Sequence, residues 1–366
     1  MSTNRAIFTI VTKSYLAYAG VMSKELRTRH PEIPFYVFLA DRPDGFFNPD
    51  KEPFNVVQIE QILPAELLQT MTGYYTAFEL CNALRPFAHL YLSKLAGVKQ
   101  WFYLDSDIYV TENIESLFNQ LNGASILLVP HILRIDIVPQ AEKQEIFFLR
   151  DGIYNSGCLG IRNSEQALQF LQWWKERLIW LCLHKSPPLE CDQSWLNFAP
   201  SLFSECKLVR DPGVNVAYWN IHERLLERSV DGDYSVSGHP VPFIHFSCWD
   251  WRHPDVPNKY YNIELGASKE AWLQAARDFA EQLRASGIED CSQWPYSFAK
   301  AKNGYTLTPS MRRNYWVFLR GNDKSTVIPS IFDDPGRFED PKPKPLSLWG
   351  ATRMWLGAVK QYLFKI

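Results

Sequence analysis

The chain has no apolar run of the ~18 residues that a membrane-spanning helix needs, and no strongly basic stretch. A formal net charge of −2 and a pI near 6.5 leave no electrostatic footprint for free nucleic acid. Its seven cysteines are odd in number and show neither C-x-x-C spacing nor the density of a disulfide framework, so a reducing cytoplasm is the expected location. G-x-G-x-x-G, a P-loop and internal repeats are all missing. His222-Glu223 lacks the second histidine of a zinc-protease signature. The opening stretch MSTNRAIFTIVTKSYLAY lacks the long apolar core and small-residue cleavage site of a signal peptide. The expectation is a soluble protein that at most touches the inner face of a membrane.

What is present is a core. At 46% hydrophobic and 14% aromatic residues, with 21% charged, the 366 residues can fill one large domain or two. The central stretch is Trp101-Phe102-Tyr103-Leu104-Asp105-Ser106-Asp107-Ile108-Tyr109-Val110. It reads as a buried strand whose end delivers two carboxylates to a wet cleft. On extended backbone, residues i and i+2 point the same way, so Asp105 and Asp107 can face one ion. Hard oxygen donors suit Mg²⁺ or Mn²⁺, which keep open positions for phosphates. A D-x-D also arises by chance; the second, Asp231-Gly232-Asp233, sits among Ser, Gly and Asp and reads as a turn. Burying two like charges beside Trp101 and Phe102 sets the first apart, because it is costly without a cation.

Along the chain, Arg5–Val11 and Phe35–Ala40 read as strands flanking a helix that ends near Arg29, the start of a parallel α/β sheet. Ligands collect at the carboxyl ends of such strands. Thr12 and Tyr15 are therefore candidates for nucleotide contacts, an ordinary βα turn being the alternative. Asn55–Ile62 reads as another strand. Thr76–Leu95 has helical spacing that Pro86 either kinks or restarts, and Arg85 can grip phosphate oxygens or serve as a surface ion pair. A helix near Glu115–Leu121 and a strand Ser125–Val129 follow. In Asp151–Ile161 a polar turn, Asn155-Ser156-Gly157, precedes a strand, and Gly157 permits close approach to backbone. Ala167–Leu181 reads as a long helix with Trp173 and Trp174 in the core. Asp192 reads as a plain helix N-cap or a functional carboxylate. Val241–Ile244 is a strand leading to His245, either a hydrogen-bonded structural histidine or a third ligand beside the acidic pair. Ser268–Ala285 is a helix, Trp294–Tyr315 is mixed, and Ile328–Pro345 is a proline-rich linker or draped segment. Residues 346–366 read as a Trp- and Leu-rich amphipathic helix, for docking or for peripheral membrane contact.

The ordered set YLDSDIYV, YNSGCLGI, CDQSWLN, DPGVNVAYWN and FIHFS, within about Arg5 to Trp251, resembles bacterial glycosyltransferases related to family 8. These are retaining enzymes with a GT-A fold, a Rossmann-like mixed sheet flanked by helices. The resemblance implies a catalytic domain over 1–265; residue patterns add a helical extension over 266–327, the linker 328–345 and the terminal helix 346–366. It implies Mn²⁺ or Mg²⁺ on Asp105, Asp107 and His245, with a nucleoside-diphosphate sugar, a UDP-sugar by expectation, as donor. Thr12, Tyr15, Arg85, Ser106, Gly157 and Ser247 would contact that donor, and Asp192, Gln193 and Asn155 would lie at the reacting sugar. The acceptor would be a glycan, a lipid-linked sugar or a protein, as in polysaccharide biosynthesis. Where the better-described relatives carry Gly and Lys-Pro-Trp after the histidine, this chain has Ser247-Cys248-Trp249-Asp250. A nucleotide-sugar hydrolase and a catalytically idle sugar-nucleotide or glycan-binding protein are the alternatives.

Overall fold

The structure, a computed structural model, describes residues 4–134, 139–184, 190–321 and 329–340. The expected terminal helix 346–366 and the ends of the proline-rich segment lie outside the described residues. The strands in chain order are β1 (Arg5–Val11), β2 (Phe35–Leu39), β3 (Asn55–Gln58), β4 (Gln100–Leu104), β5 (Ile108–Val110), β6 (Ile126–Pro130) and β7 (Tyr154–Arg162). They continue with β8 (Cys206–Leu208), β9 (Val216–Ala217), β10 (Leu226–Arg228), β11 (Tyr234–Val236), β12 (His239–Pro240) and β13 (Phe243–His245).

Seven of them form one mixed sheet in the order β3-β2-β1-β4-β7-β6-β8. The strands β3, β2, β1 and β4 run parallel, while β7 is antiparallel to β4 and β6. Strands covered on both faces need apolar side chains on both, which is why RAIFTIV and QWFYL read as unbroken runs. Alternate residues diverge: Ala6, Phe8, Ile10, Trp101 and Tyr103 enter one core, and Ile7, Val11, Phe102 and Leu104 the other. Phe8 and Phe102 are wholly buried, each worth about 1.5–3 kcal/mol in transfer free energy. The expected mixed α/β sheet flanked by helices is what the chain forms.

Local departures have local causes. The 101–110 run is two strands, because Asp105 to Asp107 form a turn closed by the Ile108 N–H on the Asp105 carbonyl at 3.1 Å. Asn55–Ile62 is strand only to Gln58; a 3-10 turn follows, where the Gln61 side chain caps the Gln58 N–H at 2.7 Å. Pro86 starts a second helix, Arg85–Leu92, after a first over Ala77–Ala83 that has a capping box. Asn155-Ser156-Gly157 is strand, but the β6–β7 register jumps from Leu128 opposite Leu159 to Val129 opposite Asn155. That bulge frees the segment to serve the site. Asp231-Gly232-Asp233 is the expected turn, between β10 and β11, with Gly232 at φ 98°.

A small sheet, β5-β13-β9, stands at the carboxyl end of β4. The helix Lys269–Ala285 buries Trp272, Ala276, Phe279 and Leu283 with Ala17 and Val21 of the helix Leu16–Arg29. The mixed region 294–315 contains the start of a helix, Pro309–Gly321, signalled by Thr308 accepting from the Met311 N–H and by proline in the first turn. Its Met311 and Tyr315, with Ile331 and Phe338, enter the core that holds Phe8 and Trp101.

Candidate metal and donor site

The acidic pair and the histidine meet because β13 lies antiparallel to β5, with His245 opposite Ile108. The Phe246 N–H donates to the Asp107 carbonyl at 3.0 Å, and the Asp105 N–H to the Gly157 carbonyl at 2.8 Å. The ligand atoms of Asp105, Asp107 and His245 all lie within 4.8 Å of one another. His245 Nε2 is 3.1 Å from Asp107 Oδ1 and 3.8 Å from Asp105 Oδ2. Convergence is produced by the turn and by strand pairing, not by alternation along an extended segment. The backbone under the triad has to be glycine. A Cβ on Gly157 would stand 2.5 Å from His245 Cε1 and 2.6 Å from Asp105 Oδ2.

A buried amide chain fixes the imidazole. Asn215 Oδ1 accepts from His245 Nδ1–H at 3.1 Å, and Asn215 Nδ2 donates to Asn155 Oδ1 at 3.1 Å. Asn155 Oδ1 also takes the Gly157 N–H at 3.1 Å, while its Nδ2 faces His131 Nε2 at 3.3 Å. Each amide is used in one orientation, so the Nδ1–H tautomer is set and Nε2 faces the carboxylates. Burial opposes the imidazolium, but Asp107 and Asp105 outweigh it and raise the His245 pKa. Burial likewise opposes the Asp107 carboxylate, yet His245 and nearby donors hold its pKa below the usual range. Two carboxylates and a tautomer-fixed imidazole form a donor set that fits Mn²⁺ or Mg²⁺.

Arg85 braces this site from the side. Its Nη2 donates to Asp105 Oδ1 at 2.5 Å and its Nη1 to Asp192 Oδ2 at 2.7 Å; Ser156 Oγ also accepts from Nη1. The guanidinium lies over the Tyr103 ring, 4.5 Å from its centre, and Tyr103 donates its hydroxyl hydrogen to Asp105. Burial opposes the Arg85 charge, but Asp105 and Asp192 outweigh it and its pKa rises. Asp192 fares differently because one guanidinium serves two carboxylates: burial and Asp105 push it up to about 6 despite Arg85. It holds the N-cap position of the 3-10 helix Gln193–Phe198 without a side-chain capping bond. Its side chain is 2% exposed and spent on Arg85.

The other expected residues are placed as follows. Gln193 has both amide ends engaged, Oε1 accepting the Ser156 N–H at 3.1 Å and Nε2 donating to the Asp151 carbonyl at 3.0 Å. Thr12 is buried at the carboxyl end of β1, its hydroxyl 2.9 Å from that of Ser14. Tyr15 is 46% exposed and stacks on Tyr18. Ser106 sits half-buried inside the Asp105–Asp107 turn, and half-buried Ser247 follows β13 by two residues.

No protein-family model matches the chain. It is 27% identical to the uncharacterized protein YfnF of Bacillus subtilis over 251 residues, 66% of this chain and 80% of that one. To YfnD of the same organism it is 23% identical over 265 residues, 68% and 82% of the two chains. Solved structures similar to it include glycosyltransferases. The galactosyltransferase LgtC, in complex with donor and acceptor sugar analogs, covers 76% of this chain and 95% of its own, with a TM-score of 0.47 and 16% identity. GlyE of Streptococcus pneumoniae covers 81% and 67%, with a TM-score of 0.43 and 15% identity. No helix among the described residues is long and apolar enough to cross a membrane.

Several residues around the site have no role assigned by the sequence, although Asn215 and Trp219 lie in the DPGVNVAYWN motif. Asn215 adopts φ 61°, a left-handed turn that asparagine tolerates, and the DPGVN turn was the available signal. Trp219 packs edge-on against the His245 ring at 5.1 Å between centres. Lys13 is fully buried, its Nζ 3.2 Å from Asp41, 2.9 Å from Asp44 and 2.8 Å from Ser297 Oγ, tying the ends of β1 and β2 to a segment 250 residues later.

Proposed function

We propose that this protein is a GT-A glycosyltransferase that moves a sugar from a nucleoside-diphosphate donor, a UDP-sugar in our reading, to a glycan, lipid-linked or protein acceptor with retention of configuration. The observation that carries the proposal is the meeting of Asp105, Asp107 and His245 beside a buried Arg85. Those three side chains would hold Mn²⁺ or Mg²⁺, which when bound supplies positive charge to the donor diphosphate. Arg85 adds a fixed guanidinium at the same carboxylate, and its Nε–H has no protein partner among the described residues. A preoriented cation beside a developing negative charge supplies the electrostatic stabilisation that dominates such reactions. Asn215 and Asn155 keep the histidine turned to its task.

Retention proceeds either through a carboxylate nucleophile or by attack on the face the diphosphate leaves. The burial of Asp192 and its bond to Arg85 favour the second. In that route the acceptor oxygen bonds to the anomeric carbon as its bond to the phosphate oxygen breaks, and the hydroxyl proton passes to the departing diphosphate. Asp192 then holds Arg85, while Gln193, through Ser156 and Asp151, shapes the wall beside it.

A panel of nucleotide sugars with and without Mn²⁺ tests this, reading nucleoside diphosphate release and thermal stability. One donor is expected to stabilise the protein only with metal, and Asp107→Ala to abolish the effect. Equal binding of every donor by parent and variant overturns the assignment.

A further inference from the structure

A second group of metal-ligating side chains lies outside the D-x-D site, on the approach to Asp192. Atoms of His184, Glu190 and Cys191 that can ligate a metal all lie within 4.8 Å of one another. His184 Nδ1 is paired to Glu190 Oε1, and the Cys191 sulfur lies within the same 4.8 Å group. Cys191 is buried, as is the nearby Cys182, whose thiol donates to the Glu79 carbonyl at 3.4 Å.

An ordinary surface ion pair accounts for His184 and Glu190 alone, but not for a buried sulfur beside them. Nor does it account for how each backbone is fixed. The His184 N–H donates to Glu79 Oε1 at 3.0 Å, the Glu190 N–H to Ser194 Oγ at 2.8 Å, and the Cys191 N–H to the Leu183 carbonyl at 3.1 Å. The Phe78 ring stands edge-on to the imidazole at 4.9 Å. Cys191 is held at φ 47°, a strained conformation for a residue with a side chain, and its sulfur is one of the grouped ligand atoms. Ligands on a pinned backbone are what a metal site requires.

We propose that His184, Glu190 and Cys191 bind a borderline-soft divalent cation, Zn²⁺, that clamps the two ends of the 183–191 segment and so sets the position of Asp192. Nitrogen, carboxylate and thiolate together suit Zn²⁺ better than Mg²⁺ or Mn²⁺. A tetrahedral zinc site puts its ligand atoms roughly 3.4–3.8 Å apart, so the group closes with side-chain movements of roughly 1 Å. The His184 and Glu190 side chains, 37% and 22% exposed, have room to make them. Three protein ligands leave the fourth position for water.

The test uses full-length Asp107→Ala protein, freed of metal by a chelator under reducing conditions, so that the D-x-D site makes no contribution. Titration with Co²⁺, the spectroscopic surrogate for Zn²⁺, is expected to give one equivalent bound with a thiolate-to-cobalt charge-transfer band that Zn²⁺ abolishes. Adding Cys191→Ser is expected to remove the band, and His184→Ala to weaken Co²⁺ binding about tenfold or more. Absence of the band overturns the proposal, as does its survival in the Cys191→Ser protein. Should Cys191→Ser fail to fold, His184→Ala and Glu190→Gln decide, and unchanged Co²⁺ affinity in both overturns it. The result stands whatever the donor panel shows, since the D-x-D site is disabled throughout.

Discussion

Replacing Gly157 with alanine puts one methyl group into the space that Asp105, His245 and Asn155 occupy. The new Cβ would meet His245 Cε1 at 2.5 Å, Asp105 Oδ2 at 2.6 Å and Asn155 Oδ1 at 2.8 Å. Carbon atoms rest at about 3.5 Å, so the imidazole must retreat by roughly 1 Å or the strand must shift. Overpacking of this kind costs about 1–3 kcal/mol. With an unfolding entropy of about 2.1 cal/mol/K per residue, 366 residues give roughly 0.8 kcal/mol per degree, hence a Tm lower by about 1–4 °C. The diagnostic is metal linkage. Mn²⁺ at a hundred times its Kd adds about 2.7 kcal/mol, or about 3–4 °C, to the parent. A tenfold weaker site at the same concentration adds about 1.4 kcal/mol, under about 2 °C. Gly160→Ala is the control, because its Cβ would meet the Phe102 ring at 2.5 Å, in the core and away from the triad. Differential scanning calorimetry of the three proteins across a Mn²⁺ series is expected to show both variants destabilised and only Gly157→Ala with its metal response cut to about half. A full Mn²⁺ shift in Gly157→Ala refutes the reasoning; loss of the shift in both variants makes the effect global.

Asn215→Ala removes the acceptor that sets the His245 tautomer, and Mn²⁺ affinity by calorimetric titration should fall about 10- to 100-fold. Lys13→Met leaves Asp41 buried without its cation, which costs about 3–5 kcal/mol, or roughly 4–6 °C in Tm; Lys13→Met with Asp41→Asn should recover much of it. Asp192 has a folded pKa of about 6 against an ordinary 3.8, so the folded state keeps that proton to higher pH than the unfolded chain does. Its contribution to folding is full at acid pH and is lost as pH rises through about 6. Relative to Asp192→Asn, the metal-free parent should therefore lose about 2 kcal/mol of unfolding free energy between about pH 4 and pH 6.5. Denaturant titrations at several pH values check this, and a flat difference contradicts it.

The sequence by itself determined the sheet. Strands such as RAIFTIV and QWFYL had to be central because only a strand covered on both faces tolerates apolar side chains at every position, and they form where the pattern puts them. The grouping of Asp105, Asp107 and His245 came from the family resemblance, since the residues alone left His245 open; the three do meet, although the premise of an extended acidic segment gave way to a turn. Tertiary structure alone decided how those groups are held. The register of β5 on β13 sets His245 opposite Ile108, and a bulge in β7 swings Asn155 and Gly157 beneath it. Arg85 finds both Asp105 and Asp192, residues 20 and 107 positions away. Hydrogen bonds and charge pairing act over a few ångströms in space and leave no periodic trace along the chain, whereas burial of a strand imprints every residue in it. That difference in range is why the fold could be read from the sequence while the supports of its site could not.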